Sequence, residues 1–448
     1  MTLREVADES FRWDEVFPQV LGRPKDGFAA VVGNPPYVAA KNQDLRHYEE
    51  EWGIRGQSDL YVLFFCALTG NGLLRRGGRY CMVLPDPVLS RENAKPVREI
   101  LLTQWGLDSL LHVRGLFRDT VVANAVLAGP VGRKPRTVRC ARVESSESAT
   151  KFAESPATAF RKLAARVPAA DFARQPRMEF SYLVSGDFAA KVISFVHGED
   201  WRLGHTHRPF RPLGEIPGVE VYRGEEIGKS SVRAGDGELP ILLGGESLAP
   251  YQITWEGHRI AASDLRKPLA NYSRMKVLVQ KSAPRPVAAV DAPTESHSGY
   301  VVPQSVYCIH IGDDLNGALY ITALLNSSTI REYVFRCFTG YKMRQPQIEI
   351  EDLRRIPIRL FSNTTERERL NKLVSEGWAA CLAGDMESLR AFCRDRLAVQ
   401  PDEADVLPML IVELARSLTF PGNNVVADGQ VGIDVIVEAM YRIEDCTL

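Results

Sequence analysis

Apolar and polar positions form regular blocks along the first 130 residues of this 448-residue chain. Residues 28–33 are a short apolar run that ends in a glycine and two prolines, which predicts a buried strand. Helical patterns follow over 59–74 and 92–104, and further strands are predicted at 79–84, 107–113 and 121–127. Strand, helix, strand, helix and strand in this order are typical of a parallel α/β layer.

The pattern changes twice farther along the chain. The stretch after the α/β layer is rich in Arg, Ser and Pro, which is typical of a linker. Short apolar strands with many Gly and Pro turns come next, and helical periodicity continues to the end. We therefore predict an α/β domain over 1–135, a linker over 136–180, an α+β domain over 181–360 and a helical region over 361–448.

Composition narrows the class of protein. Hydrophobic residues make up 45% and charged residues 25%, as in ordinary globular proteins. The formal net charge is −1, so any nucleic-acid contact must come from a local basic patch. Eight cysteines without a Cys-x-x-Cys pair argue against a zinc cluster and a disulfide scaffold, and no metal is expected. With no signal peptide and no long apolar run, we expect a reduced, cytoplasmic protein.

The segment Asn34-Pro35-Pro36-Tyr37 directly follows the first predicted strand and suits methyl transfer to an exocyclic amine. The amine of adenine or cytosine becomes nucleophilic only as it turns tetrahedral, and two acceptors for its N–H bonds favour that geometry. The Asn34 side-chain oxygen and the carbonyl between Pro35 and Pro36 are such acceptors. The Tyr37 ring would stack on a base flipped out of the duplex. The alternative is a Pro-Pro turn capped by asparagine, without chemistry.

The motif and its neighbours resemble the gamma-type N6-adenine methyltransferases of restriction–modification systems, in the Eco57I-like and TaqI-like families. Three further blocks carry the resemblance: a lead-in at 11–18, a block at 59–64 and a block at 77–85. The resemblance implies a partial Rossmann-like methyltransferase sheet that holds the target-base half of the active site. Cytosine N4 stays open as a target, because the same amine chemistry applies.

The same resemblance implies roles for three more residues. Asp59 and Tyr61 would lie beside the cofactor, and Phe117 would clamp the flipped base opposite Tyr37. Asp59 is equally suited to cap its helix, and Phe117 is also explained as an ordinary loop aromatic.

The resemblance extends loosely into the later segments. Residues 240–251, 275–284, 302–309 and 319–326 are similar to the family's target-recognition domain, and residues 433–441 are similar to its final helix. The α+β domain is therefore expected to read double-stranded DNA. The candidate contacts are Arg274, Lys276, Lys281, Arg285, Arg336, Lys342, Arg344 and Gln345. Each of them alone is also explained as part of a solvated, charge-balanced surface.

The family binds S-adenosylmethionine with a Gly-rich loop and an acidic residue on strands that precede the motif. The 33 residues before Asn34 contain no Gly-x-Gly, and Leu243-Gly244-Gly245-Glu246 does not fit the pattern. An apolar strand at 28–33 without upstream neighbours would also leave a bare edge. We therefore expect a partner polypeptide to supply the cofactor half. The other interpretations are a truncated product and an edge covered by the first 25 residues, which would leave a catalytically dead DNA binder.

The sequence thus predicts a DNA adenine-N6 methyltransferase subunit of a restriction–modification or phage-defence system, active only with a partner that completes the S-adenosylmethionine site. The alternative hypothesis is a non-catalytic DNA-recognition subunit of a phage-defence complex.

Overall fold

The computed structural model describes most of the chain, namely residues 13–21, 27–38, 59–70, 72–114, 123–175, 177–198, 205–227, 232–234, 237–420 and 428–442. The chain divides into two compact units. Unit 1 comprises Met1–Tyr182 and Tyr341–Arg344, and unit 2 comprises Leu183–Gly340 and Gln345–Leu448.

Unit 1 alternates strands and helices. Its elements are α1 (Trp13–Val16), α2 (Pro18–Leu21), β1 (Phe28–Gly33), α3 (Leu60–Gly70), β2 (Leu74–Pro85), α4 (Lys95–Glu99), β3 (Ser109–Val113), β4 (Asn124–Pro130), β5 (Thr137–Val143), α5 (Ser146–Glu154), α6 (Pro156–Leu163), β6 (Ala165–Pro168) and α7 (Ala169–Ala173). A π-helical turn, Ile100–Gln104, continues α4. Short 3-10 turns at Asp86–Leu89 and Glu92–Ala94 lead into α4.

The strands of unit 1 form one six-stranded sheet with the order β1-β2-β4-β3-β5-β6. The pairs β1·β2 and β3·β5 are parallel, and the other three pairs are antiparallel. The prediction of a parallel layer is therefore wrong in detail, because β4 runs antiparallel between β2 and β3. Residues 114–123 alone separate β3 from β4, fewer than the dozen or so that a parallel crossover needs.

The stretch predicted as a linker, residues 136–180, is also part of this sheet. It contributes β5 and β6 and the helices that pack beside them. On the first half of β5, Val138 and Cys140 are buried, whereas Thr137 and Arg139 are exposed. This alternation is that of a strand with one face on the core. The linker prediction is wrong because it was based on the Arg, Ser and Pro content of this stretch and overlooked the alternation of buried and exposed positions.

The core of unit 1 lies between α3 and the sheet. The rings of Phe65, Tyr80 and Trp105 contact one another with centroid separations of 5.0–6.0 Å. All three side chains are almost fully buried. Aromatic clusters of this size contribute much of the apolar area that holds a helix on a sheet.

Unit 2 begins with short helices and strands and ends in long helices. Its elements are α8 (Gly186–Phe188), α9 (Ser194–His197), β7 (Phe210–Pro212), β8 (Glu220–Arg223), β9 (Arg233–Ala234), β10 (Leu239–Pro240), β11 (Leu248–Ala249), β12 (Gln252–Ile253), β13 (His258–Ile260), α10 (Ala270–Ser273), β14 (Lys276–Gln280), β15 (Ala288–Asp291), β16 (Val306–His310), α11 (Leu315–Asn326), α12 (Ser328–Cys337), α13 (Ile350–Arg354), β17 (Pro357–Arg359), α14 (Arg367–Leu382), α15 (Met386–Arg394), α16 (Val406–Thr419) and α17 (Gly429–Tyr441).

The largest sheet of unit 2 is antiparallel and has the order β15-β14-β16-β8. Its buried face joins the helices in one continuous core that includes Val277, Leu324, Leu410 and Ile436. Residues 361–448 therefore share a core with the preceding strands instead of folding apart from them. The predicted order of the fold is confirmed: an α/β sheet, then an α+β region, then helices.

Within the described ranges, no helix is both long enough and apolar enough to cross a membrane.

Candidate functional site at one edge of the unit 1 sheet

The ends of four strands meet at one edge of the unit 1 sheet. Gly33, at the end of β1, pairs with Met82 of the parallel strand β2. Asn124, at the start of β4, pairs with Pro85 at the end of β2 and with Val113 at the end of β3. Because β4 is antiparallel to both, its first residue lies where β2 and β3 finish. This edge is where ligands bind in open α/β folds.

The predicted motif forms the loop that leaves β1 at this edge. Asn34 and Pro36 are exposed, Pro35 is buried and Tyr37 is half-buried. The carbonyl of Val38 accepts a hydrogen bond from the amide of Leu60 at 2.9 Å, and this bond ties the loop to the first turn of α3. An open amide at a helix start needs an acceptor, so the contact fixes both segments.

Gly33, directly before the loop, lies against the side chain of Met82. A Cβ atom on Gly33 would lie 2.8 Å from the sulfur of Met82, so the thioether would have to move for any larger residue.

Tyr37 is held by its hydroxyl group. This hydroxyl donates to Oδ1 of Asn124 at 2.9 Å, and Asn124 is fully buried. Burial raises the pKa of Tyr37 to about 12, so the hydroxyl stays protonated and remains a donor at neutral pH. A hydrogen bond at the tip of the side chain fixes the position of the ring.

Phe117, the predicted base clamp, lies outside the described residues. On the two sides of its loop, Val113 and Asn124 are paired at the same edge as Tyr37. Its role stays a prediction.

The two residues predicted beside the cofactor lie at the start of α3. Asp59 is half-buried, and its carbonyl accepts from the amide of Val62 at 2.9 Å. Tyr61 is 1% exposed, and its hydroxyl has no hydrogen-bond partner among the described residues. Burial, followed by the charge of Asp59, raises the pKa of Tyr61 well above its usual value. The predicted contacts of both residues with a cofactor remain untested.

The structure adds a buried polar cluster that sequence reasoning missed. Asp86, directly after β2, has Oδ2 at 3.7 Å from Nε2 of His112, too far for a hydrogen bond. Nδ1 of His112 lies 2.8 Å from the hydroxyl of Tyr182, and Arg142 donates to that same hydroxyl at 3.2 Å. Burial lowers the pKa of His112, which keeps the imidazole neutral at pH 7. The sequence signal that could have revealed this cluster is Asp86, a carboxylate directly after an apolar strand.

A short segment from much later in the chain completes this cluster. The amide of Met343 donates to Oδ2 of Asp86 at 3.2 Å. The ring of Tyr341, 2% exposed, packs edge-on against Tyr182 with centroids 5.6 Å apart. Two predicted DNA contacts, Lys342 and Arg344, therefore belong to unit 1 and not to the domain predicted over 181–360.

One predicted DNA contact in unit 2 is wrong. Lys276 and its partner Asp291 are both 0% exposed at their side chains, and Nζ of Lys276 lies 2.6 Å from Oδ2 of Asp291. Asp291 also accepts from His297 and from the amide of Tyr300. A buried ammonium group held in this way cannot reach a phosphate.

The remaining predicted contacts of unit 2 are accessible to solvent. Arg274 pairs with Glu220 at 3.0 Å. Arg285 and Arg336 are brought together by Glu332, which lies 2.9 Å from the first and 2.6 Å from the second. The carbonyl of Lys281 accepts from the amide of Ile348 at 3.0 Å, so Lys281 lies beside the segment that contains exposed Gln345. Their contact with DNA stays a prediction.

Solved structures of restriction–modification proteins are weakly similar to this chain. The type IIL restriction-modification enzyme MmeI, in complex with DNA, is 11% identical to this chain and has a TM-score of 0.44. The match covers 92% of this chain and 57% of MmeI. The type IIG restriction endonuclease BpuSI is 11% identical over 94% of this chain and 55% of its own, with a TM-score of 0.34. Likeness this low carries no argument about function.

The chain spans a little over half the length of these two structures. No curated protein matches it. Two family models do match, each over about a quarter of the chain. Residues 2–117, which include the whole Asn34–Tyr37 motif and Phe117, match the Eco57I restriction-modification methylase. Residues 239–358, which include all eight predicted DNA contacts, match the TaqI-like C-terminal specificity domain. The predicted resemblance is thus confirmed: the chain combines a segment similar to Eco57I restriction-modification methylases with a segment similar to TaqI-like specificity domains.

Proposed function

We propose that unit 1 holds the target base of a DNA adenine-N6 methyltransferase that works within a restriction–modification system. The observation that carries this proposal is the loop Asn34–Tyr37 at the sheet edge. Its first side chain is exposed, its second residue is buried, and its aromatic ring is anchored by Asn124 at 2.9 Å. A base-binding pocket requires accessible polar and aromatic side chains on a backbone that is held in place.

In the proposed mechanism, the adenine amine donates its two hydrogen bonds to the side-chain oxygen of Asn34 and to the carbonyl between Pro35 and Pro36. These acceptors favour the tetrahedral amine, whose lone pair then points away from the ring. Prolines fix the backbone and remove a competing donor, so the second acceptor is held in place. S-adenosylmethionine would supply the methyl group when bound.

Tyr37 would stack on the flipped adenine. Stacking on an aromatic ring contributes about 1–3 kcal/mol per base. Because Asn124 holds the ring by its hydroxyl, the ring need not be ordered again when the base arrives. Pre-ordering of this kind lowers the entropy cost of binding.

The described residues provide only one side of a cofactor site. Strand β1 pairs with β2 and with no other described strand, and Val32 on it is 80% exposed. An exposed apolar edge strand is a template for further pairing. We infer that the S-adenosylmethionine-binding strands pair with β1 and come from outside these 448 residues, on a partner polypeptide or on a longer form of this chain.

Unit 2 would read the double-stranded DNA sequence. The predicted contacts Lys281, Arg285, Arg336 and Gln345, with Arg274, are the accessible polar groups on which this proposal rests. Lys342 and Arg344 would contact phosphates from the side of unit 1.

The test compares N6-methyladenine in host DNA with the gene intact, deleted, or carrying Asn34→Ala. The variant should lose more than about a hundredfold of the methylation, as when other transition-state acceptors and donors are removed. Asn371→Ala is the matched control, because Asn371 is an exposed asparagine on α14 of unit 2.

Three outcomes are distinct. Loss of N6-methyladenine in the deletion and in Asn34→Ala supports the proposal. Loss of N4-methylcytosine instead moves the target to cytosine. If neither base changes and the purified chain still binds specific DNA, the chain is a non-catalytic recognition subunit and the proposal fails.

A further inference from the structure

A surface cavity in unit 2 is lined by the predicted DNA contact Arg285 and by Arg331 and Arg442, which no prediction named. Its volume is about 470 Å³. Three arginines line it, Arg285, Arg331 and Arg442, and Glu332 is the acidic residue among the lining side chains. The lining thus carries a net charge of +2, three guanidinium groups against one carboxylate.

Glu332 does not neutralise the cavity on its own. It accepts from Arg285 at 2.9 Å and from Arg336 at 2.6 Å. Although burial opposes the effect, these hydrogen bonds hold the pKa of Glu332 below its usual value, so it is ionised at neutral pH. Its charge is engaged by two arginines, and Arg331 and Arg442 bring further positive charge to the same cavity.

Two of the arginines have donors that lack partners. The Nε atoms of Arg331 and of Arg442 are buried and have no hydrogen-bond partner among the described residues. Arg442 is paired through Nη1 with Glu438 at 2.6 Å, so part of its guanidinium group is already used. A buried donor without an acceptor costs about 1–3 kcal/mol, which an anionic oxygen would relieve.

The cavity also lies at the start of a ten-residue helix. Thr329, in the first turn of α12, lines it and is 3% exposed. The amide of Ser328 is used by Oδ1 of Asp434 at 2.7 Å, and Asp434 also accepts from Gln430. Asp434 is therefore bound at the helix start, where the positive end of the helix dipole favours anions.

We propose that this cavity binds a phosphate group. Guanidinium forks match the oxygens of phosphate, and the arginines supply the donors because Asp434 already occupies the helix start. The phosphate belongs either to a DNA backbone or to a free phosphate-bearing small molecule. The DNA source rests on the proposed function, whereas the free ligand does not.

The experiment compares the wild-type full chain with Arg331→Ala and Arg331→Lys. The control is Arg367→Ala, which removes an exposed arginine from α14. Duplex DNA is titrated at several salt concentrations, and inorganic pyrophosphate is titrated separately while thermal unfolding is followed. Each variant must first show a cooperative melt. Arg331→Lys keeps the charge but loses the fork, and it separates charge from geometry.

For a DNA phosphate, Arg331→Ala should weaken duplex binding about tenfold. It should also make the slope of log affinity against log salt shallower by about 0.9. Arg331→Lys should keep the slope, and Arg367→Ala should change neither quantity. For a free ligand, pyrophosphate should raise the Tm of the wild type and of Arg367→Ala but not of Arg331→Ala.

If Arg331→Ala leaves both the DNA slope and the pyrophosphate response unchanged, the cavity is not a phosphate site. The readouts need no methyl transfer, so they stand apart from the fate of Asn34→Ala. If wild-type chain binds no DNA, the recognition proposal fails while the pyrophosphate titration still decides about the cavity.

Discussion

Among the described residues, unit 1 leaves an apolar strand unpaired at the edge of its sheet, whereas unit 2 buries a lysine inside its own sheet. Val32 on β1 is 80% exposed, and Lys276 at the start of β14 is 1% exposed. In unit 1 the polar residues gather where strands end, around Asn124. In unit 2 charged residues mostly pair with one another. Residue type alone therefore indicates function in unit 1 but not in unit 2.

The arginines of unit 2 show why. Arg274, Arg285 and Arg336 each have a carboxylate partner within 3.0 Å, and Arg285 also lies over the ring of Phe335 at 4.2 Å. A basic patch in sequence thus becomes a set of ion pairs in space. Partly exposed pairs of this kind contribute little stability, so they remain available for DNA.

The largest effect should come from the buried pair of unit 2. Lys276→Met leaves the carboxylate of Asp291 buried beside an apolar side chain and should lower the free energy of unfolding by about 3–5 kcal/mol. Denaturant unfolding of the full chain measures it. Lys281→Met is the control, because Lys281 directly follows the last residue of the same strand and is half-buried.

A role for Lys276 in DNA binding would give the opposite result. Lys276→Met would then keep the wild-type stability and lose affinity for duplex DNA. Lys281→Met should change the free energy of unfolding by at most about 1 kcal/mol.

A smaller effect on unit 2 should come from acid. His197 is buried and lies 2.9 Å from the hydroxyl of Tyr333. Burial lowers the pKa of His197 to about 4, against a partial opposing effect of the His205 carbonyl. Below pH 6.5 His197 is protonated in the unfolded chain, whereas in the folded protein it stays neutral until about pH 4. Stability should therefore fall by about 3 kcal/mol as the pH drops across this window.

The measurement is the free energy of unfolding at several pH values for wild type and for His197→Asn. The stability difference between the two should shrink steadily from pH 6.5 to pH 4. A constant difference over that range would contradict the assigned titration, as would an imidazole resonance of His197 that titrates near pH 6.5.

The sequence predicted the parts of the fold that depend on local pattern. The strand at 28–33 matches β1 in position, although none of its residues is buried as predicted, and the run at 79–84 lies within β2. It also predicted that Asn34–Tyr37 directly follows a strand, because the strand and the motif are adjacent in the sequence. The bond between Tyr37 and Asn124 could not be predicted, since 87 positions separate the two residues.

Other features depend on pairing over long distances, and these were missed. Strand β5 was hidden in a stretch whose Arg and Ser content resembles a linker. The contact of Met343 with Asp86 joins residues 257 positions apart. The burial of Lys276 follows from the position of Asp291 on the neighbouring strand. No local pattern contains such information.

A smaller effect is expected at the anchored tyrosine of unit 1. Tyr37→Phe removes the hydrogen bond to Asn124 and should cost about 1 kcal/mol of stability. The ring remains, so methylation should fall less than about tenfold. Tyr37→Ala, which also removes the stacking surface, should lose considerably more methylation with the same measurement of N6-methyladenine. Equal losses in both variants would mean that the ring does not contact the base.

The smallest effect on stability, and the sharpest test of the open edge, is expected at Val32. Because its side chain is 80% exposed, Val32→Lys should change the free energy of unfolding of the isolated chain by no more than about 0.5 kcal/mol. Lysine on an edge strand discourages further pairing, so methylation in the host should nevertheless be lost. Val399→Lys, at a position 70% exposed in unit 2, should leave both quantities unchanged. If Val32→Lys behaves like Val399→Lys in both measurements, β1 is not the strand to which the cofactor half is joined.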